Sequence, residues 1–334
     1  MSIILAVNSG SSSLKLAAFT TDMKLVQRGQ NSNVVEWFND TGIDRREIVG
    51  VGHRIVHGGT RFISPTLVTD QVLADLQALS PLAPLHMPGC LRVLQDLRTL
   101  VQKVPHVACF DTAFHATQPD VARRLPLPRS YHDRGFQRYG FHGLNYEHVV
   151  QALPQQTGLP LPTRLLVAHL GNGASMCAVL NGRSVATTMG YSTADGLVMG
   201  TRTGAIDPGA LIALMRDDAM TAAGMEELVY RQSGLLGVSG MSSDMRELLA
   251  SSKAQAAEAV DYYCYHAARQ AGSLAIAMGG IDAVAFTGGV GENSAAVRDK
   301  IMAHLGWLNV KQVHVVRADE ELVIAGHVKN LLSE

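Results

Sequence analysis

Two stretches of the same design constrain the fold of this 334-residue chain more than any other feature. The first is Leu5-Ala6-Val7-Asn8-Ser9-Gly10-Ser11-Ser12-Ser13-Leu14-Lys15-Leu16, an apolar run, a small polar turn and a second apolar run. The second is Leu166-Val167-Ala168-His169-Leu170-Gly171-Asn172-Gly173-Ala174-Ser175-Met176-Cys177-Ala178-Val179. Each reads as strand–turn–strand. Gly and Ser in the turn leave room for backbone N–H groups to approach an anion. Two such hairpins imply two related halves, each with a cradle of phosphate size.

Length agrees with two domains, because a single core seldom serves more than ~250–300 residues. A hydrophobic content of 47% and a charged content of 17% describe a well-buried globular chain. The net charge of −1 excludes the basic excess expected of a nucleic-acid or anionic-membrane binder. An anionic ligand must then be held by a few placed cations. Met1-Ser2-Ile3-Ile4-Leu5 has no basic segment before it turns polar at Asn8, unlike a secretory signal. No apolar run approaches the ~20 residues of a membrane span. Cys90, Cys109, Cys177 and Cys264 form no C-x-x-C pair, which argues against structural zinc and for buried thiols in a reducing cytoplasm.

Apolar strand runs alternating with helical patterns predict an α/β architecture. Strands are expected at 3–7, 14–19, 48–56, 106–110, 164–169, 176–180, 283–287 and 313–316. Asp207-Pro208 opens a helix. A long helix spans about 253–278, with Ala257, Val260, Cys264, Ala267, Ala271, Leu274 and Met278 on one face and Gly279-Gly280 ending it. Asp319 caps a last helix at 320–332. Prolines crowd residues 116–162, where the boundary between lobes is expected and regular structure should break.

Several motifs carry chemistry, each with a plainer alternative. Arg54, in Gly52-His53-Arg54-Ile55-Val56-His57-Gly58-Gly59, lies in an apolar run and must be paired or face a cleft. His86, in Leu82-Ala83-Pro84-Leu85-His86, reads on its own as a satisfied core histidine. Asp111 ends a strand, where ligand sites of α/β sheets gather, and either orients Mg²⁺ or caps a turn. His142 is flanked by Gly140 and Gly143, so a ligand can come close. Arg202, in Met199-Gly200-Thr201-Arg202-Thr203-Gly204, is a second arginine in a glycine loop. Residues 233–246 form a Gly/Ser-rich loop ahead of a helix. Phe286-Thr287-Gly288-Gly289-Val290-Gly291-Glu292-Asn293-Ser294 is a strand–glycine turn–helix like a loosened dinucleotide fingerprint, but the acidic residue expected ~20 positions on is missing. Together these point to phosphoryl transfer.

Taken in order, the strings AVNSGSSSLK, GHRIVHGG, LAPLH, FDTAFH, YGFHG, HLGNGAS, MGTRTGAIDP, SGLLGVSGMSSDMRE, FTGGVGENS and ADEELVIA resemble the acetate kinase family of short-chain carboxylate kinases. The resemblance covers nearly the whole chain. It implies a two-lobed sugar-kinase/Hsp70/actin (ribonuclease H-like) fold, with duplicated βββαβαβα topology around an ATP cleft. The N-terminal lobe is expected at 1–150, completed by the helix 319–334, and the nucleotide-binding lobe at 151–318. The resemblance further implies a cytoplasmic homodimer that uses ATP with Mg²⁺ or Mn²⁺ to phosphorylate acetate, with propionate or butyrate as alternatives. By motif position it implies that Asn8, Ser11, Ser13 and Lys15 lie on the γ-phosphate path. Arg54 and Arg202 flank the carboxylate and the phosphoryl group, and His142 bonds to that group. Asp111 and Glu320, with Asn8, serve the metal, and His86 supports the transition state. His169, Gly171, Asn172 and Gly173 hold phosphates. Asp244, Met245, Arg246, Gly289, Gly291, Glu292 and Asn293 surround the adenosine. Val56, Leu85 and Phe141 line the acyl pocket.

The chain also departs from the pattern. It is shorter than usual members, with losses between Lys15 and Gly52 and between Leu305 and Val313. Met87 stands where the motif has Asn, Thr193 replaces a proline of the acyl pocket, and Ala205 replaces an Asp. Leu144-Asn145-Tyr146 stands for the usual Thr-Ser-His. A non-catalytic nucleotide-binding module on the same fold is the reading from another class.

Overall fold

The computed structural model describes residues 2–10 and 14–333, so the expectations for Ser11 and Ser13 lie outside the described residues. The first sheet contains β1 (Ile3–Ser9), β2 (Leu14–Thr20), β3 (Leu25–Asn31), β4 (Ile48–Ile55), β5 (Thr66–Leu67) and β6 (His106–Phe110), in the order β3-β2-β1-β4-β6-β5. The second contains β7 (Arg164–Leu170), β8 (Ala174–Leu180), β9 (Arg183–Thr187), β10 (Ala283–Thr287) and β11 (Gln312–Val315), in the order β11-β10-β7-β8-β9. Read from β9, the second sheet repeats the first. Three strands pair antiparallel, and two more join parallel on the far side of the opening strand. The duplication inferred from the two hairpins is therefore present in strand order and direction.

All eight expected strands form, within two residues at either end. Sequence patterning missed β3, β5 and β9. β3 is an exposed, polar edge strand, LVQRGQN, with no apolar run to betray it. The helix Pro208–Asp217 begins as expected, with the Asp207 side chain accepting from Gly209 N–H. The long helix runs Ala254–Met278 and ends at Gly279, whose φ of 71° is left-handed. Its buried face takes in Ala256, Ala259 and Tyr263, whereas Ala257 is exposed, which corrects the expected stripe. Pro154 lies inside the helix Gly143–Thr157 and does not break it.

The described chain forms two compact units. One holds residues up to Ala116, Phe141–His148 and the residues from Asp319 on; the other holds Thr117–Gly140 and Val149–Ala318. In the first unit, β1 alternates between two cores, as a pleated central strand must. Ile3, Leu5 and Val7 pack with Leu16, Trp37 and Phe38. Ile4 and Ala6 pack with Ala17, Val107, Cys109 and the C-terminal helix residues Val323, Ile324, Ala325 and Val328. That helix, Glu320–Leu332, lies close on β4, where a Cβ at Gly50 would stand 2.7 Å from Val328 Cγ1 and one at Gly52 would collide with Ile324.

Five histidines of this unit are buried: His53, His57, His106, His115 and His148. His53 stacks on His106, and His53 Nε2 meets His106 Nδ1 at 2.9 Å. Since His106 Nε2 donates to Val101 O at 3.1 Å, its Nδ1 is the acceptor and both rings are neutral. Burial lowers the first four, His57 and His115 from 6.5 to about 4. A histidine depressed on folding holds its stability above the unfolded value and loses it as pH falls through the window below 6.5. His57 and His115 should each forfeit roughly 1.4 kcal/mol by pH 5.5. The urea midpoint is expected to be clearly lower at pH 5.5 than at 7.5, and equal midpoints would contradict neutral burial.

Candidate active site

The strand alternation decides what reaches the first site. On the face that carries Ile4 and Ala6, the next residue of β1 is Asn8. On β4, Gly50 and Gly52 are followed by Arg54, and after β6 the residue two beyond Cys109 is Asp111. Three polar residues therefore emerge at the carboxyl ends of neighbouring parallel strands. Arg54 Nη2 and Nε donate to Asp111 Oδ2 at 2.6 and 3.0 Å, and Arg54 Nη1 donates to Asn8 Oδ1 at 3.1 Å. Asn8 Nδ2 donates in turn to Glu320 Oε2 at 2.8 Å and Glu321 Oε1 at 2.7 Å. Glu320 Oε2 also lies 4.0 Å from Arg54 Nε. Lys15 pairs with Asn8 across the β1–β2 ladder and so shares its face, with an exposed side chain.

This cluster is nearly dry. The Arg54 and Asp111 side chains are 16% and 1% exposed. Burial opposes the Arg54 charge, but Asp111 and Glu320 outweigh it and raise the guanidinium above its ordinary value. Burial, with Glu320 adding to it, pushes the Asp111 carboxyl up against the pull of Arg54.

His142 has a φ of +60°, a conformation costly for a residue with a Cβ and frequent at functional positions. Its neighbour explains the geometry. Gly143 N donates to Asp111 O at 2.8 Å, and a Cβ at Gly143 would collide with that oxygen. The YGFHG loop is thus fixed against the backbone of Asp111. Val56 and Phe141 are buried, Phe141 standing edge-on to His57 at 5.5 Å, while Leu85 is exposed. His86 is half-buried and starts the helix Met87–Leu100. Sequence reasoning passed over Glu321 and His57. Glu321 stood beside Glu320, but nothing marked which of the two would meet Asn8.

In the second unit, the β7–β8 turn is closed by Gly171 N donating to Gly173 O at 3.1 Å. Gly200 N donates to Asn172 O at 3.2 Å, and a Cβ on Gly200 would collide with Asn172 Oδ1. The hairpin and the Arg202 loop are therefore held together through glycine. A cavity of about 540 Å³ opens beside them, within the usual range for a small-molecule site. Of the expected nucleotide residues, Gly171, Asn172, Asp244, Met245, Arg246, Gly289 and Asn293 line it. His169, Gly173, Gly291 and Glu292 do not. Gly291 is buried against Ala168 and Leu170, and Glu292 Oε1 accepts from Gly288 N and Ala318 N, both at 3.0 Å, so it braces the loop. Asp244 caps the helix Met245–Ala250 and is held to about 2 by its hydrogen bonds to the Arg246 side chain and N–H. Leu235, Ser243, Leu249, Tyr263, Val290 and Ser294 complete the wall, of which Leu249 and Tyr263 lie outside every motif.

Arg202 differs from Arg54. It is largely buried, donates to Thr193 O at 3.3 Å, and among the described residues has no carboxylate within 4.0 Å. Burial lowers its pKa. Its loop is gripped by a π-helix, Leu228–Gln232: Thr203 N donates to Val229 O at 3.1 Å and Thr201 Oγ1 to Tyr230 O at 2.8 Å. Such helices leave carbonyls available and recur at functional sites.

Among the described residues no cluster of three or more His, Cys, Asp or Glu is set to hold a metal ion, and no helix is long and apolar enough to cross a membrane. The model of the acetokinase family matches residues 33–325. The chain is 44% identical to the acetate kinase of Rhodopseudomonas palustris over 321 residues, 89% of this chain and 80% of that one. Its structure is similar to that of a propionate kinase from Francisella tularensis, with a TM-score of 0.91 at 30% identity, covering 99% of this chain and 100% of the other. The Porphyromonas gingivalis acetate kinase gives 0.89 at 32% identity, with 99% and 100% covered. The duplicated sheets, the arginine on β4, the glycine-cradled hairpin and these likenesses converge: the chain belongs to the acetokinase family.

Proposed function

We propose that the protein transfers the γ-phosphoryl group of ATP to acetate, reversibly, giving acetyl phosphate and ADP. The observation that carries this reading is Arg202, a largely buried guanidinium with no carboxylate partner among the described residues. A buried charge left so is costly, and an anionic substrate relieves the cost.

Acetate is already ionised at neutral pH, so no strong general base is needed. The obstacle is an anion approaching a polyanion, where two unit charges ~4 Å apart repel by about 4 kcal/mol at an effective dielectric of 20. Arg54 and Arg202 offset that repulsion, and His142 donates to the transferring group. Asp111 fixes the Arg54 plane, His86 supports the transition state, and Val56, Leu85 and Phe141 receive the methyl group. Lys15, with the residues of the two hairpin turns and the cavity wall, holds ATP. A divalent cation, Mg²⁺ or Mn²⁺, fits the oxygen donors Asn8 and Glu320, with Asp111 nearby. Mg²⁺ usually takes few protein ligands and fills its shell with phosphate and water, and when bound it neutralises the phosphates.

The test is hydroxamate trapping of acyl phosphate with ATP and acetate, with ATP hydrolysis in the absence of acetate as control. Acetate-dependent hydroxamate is expected; hydrolysis without it would leave a nucleotide-binding ATPase. Thr193, standing where the family pattern has a proline of the acyl pocket and lying beside Arg202, supports a second reading, with propionate or butyrate preferred. A kcat/KM higher for propionate than acetate would favour that reading; each methylene is worth ~1–3 kcal/mol. A homodimer is part of the proposal. The helix Pro208–Asp217 buries none of its residues, and Ile212 is 62% exposed. A cytoplasmic setting suits four buried thiols.

A further inference from the structure

Arg138 fastens the stretch of chain that carries Thr193. Tyr139 N donates to Gly190 O at 3.0 Å and lays that backbone against residues 190–196. Arg138 Nη1 then donates to Thr188 O at 2.9 Å and to Asp195 Oδ2 at 3.1 Å. Thr188 is itself fixed to β8, where its N–H donates to Met176 O and its hydroxyl accepts from Met176 N. Asp195 Oδ1 accepts from Gly196 N at 2.7 Å. A Cβ at Gly190 would collide with Asp195 Oδ2, and one at Gly196, where φ is +91°, would collide with Thr188. Both ends of the stretch are thus tied to Thr188. Gly196 O also accepts from Ala205 N at 3.0 Å, which closes the Arg202 loop at its base. Thr193 lies between these ties. Among the described residues its carbonyl is the one oxygen bonded to the Arg202 side chain.

We infer that Arg138 and Asp195 are positioning residues: their ion pair sets the Thr193 carbonyl, and through it the direction of the Arg202 guanidinium. The inference rests on the reading of Arg202 as the group that meets substrate charge. Magnitudes separate this role from a structural one. The two side chains are 27% and 37% exposed, and an ion pair so placed adds little to stability. A displacement of ~1 Å at a reacting group, by contrast, costs up to ~100-fold in rate.

The experiment compares Arg138→Met, Asp195→Asn, Arg202→Ala and the combined Arg138→Met, Arg202→Ala protein. Each is read by melting temperature and by kcat and KM in hydroxamate formation. Arg138→Met should lower kcat about 10- to 100-fold. Its melting temperature should stay within about 4 °C of the parent's, and its KM for ATP within about twofold. Asp195→Asn should lower kcat less, because an amide oxygen still accepts from Arg138, and it carries the test even if Arg138→Met fails to fold. Adding Arg138→Met to Arg202→Ala should slow turnover no further, because the effect passes through Arg202. A parent-like kcat in both Arg138→Met and Asp195→Asn, with Arg202→Ala slow, would overturn the inference and leave the Arg202 reading in place. A parent-like kcat in Arg202→Ala would remove that reading itself. Losses that multiply in the combined protein, or a lowered melting temperature with kcat kept, would also overturn the inference.

Discussion

Arg202→Ala should lower turnover at least ~100-fold while leaving the protein about as stable as before. An arginine that meets transition-state charge in phosphoryl transfer is typically worth ~10³–10⁵ in rate, and the smaller figure is a cautious floor. The stability half follows from the unpaired state of the group. Its recorded bonds are to the Thr193 carbonyl and, at 3.9 Å, the Met199 sulfur, and its charge is largely buried. Removing it costs about one hydrogen bond, ~1 kcal/mol, and relieves the desolvation of a cation. Chemical denaturation with a midpoint near the parent's, alongside loss of hydroxamate formation, is the expected pair of results. Turnover close to the parent's in a folded Arg202→Ala protein would remove the central assignment.

Arg54→Ala should cost as much in turnover and, unlike its counterpart, destabilise the fold by about 3–5 kcal/mol. Removing the guanidinium leaves Asp111, 1% exposed, with no cation, and frees Asn8 on one side. The sequence reading assigns the two arginines one role; their surroundings separate them. A double variant, Arg54→Ala with Asp111→Asn, should recover much of the stability and none of the turnover, since it removes the stranded charge and not the need for a cation. Urea melts and hydroxamate rates on both variants check the split. Equal stability of Arg54→Ala and the parent would mean that Asp111 is already neutral in the folded protein.

What the chain made legible followed from local pattern. The hairpins β1–β2 and β7–β8 were readable because apolar runs flank small polar turns, and the repeated sheet followed from finding that design twice. The cap at Asp207, the stop at Gly279 and the helix after Asp319 obeyed local rules of helix ends. What stayed hidden was set by partners far away in the sequence. Glu321 matters because Asn8 lies within 2.7 Å of it across 313 positions, which no local spacing reveals. Glu292 looked like a ligand group, yet it braces Gly288 and Ala318. Tyr263 falls outside the apolar stripe expected for the long helix, yet it is buried on that helix. β3 was invisible because an edge strand has little to bury. It nonetheless supplies Arg28, which holds Asp319 at 2.5 Å at the start of the last helix.

The helix Glu320–Leu332 has a consequence for how the molecule is made. Asn8 leaves the ribosome well before its partner Glu320, which follows 312 positions later. The face of β1 that bears Ile4 and Ala6 stays uncovered by that helix throughout translation. Loops of such span close slowly. Nascent chains should therefore remain inactive and open to proteases until the terminal segment docks, and a stop codon before Asp319 should yield an aggregation-prone product, not a weakened enzyme.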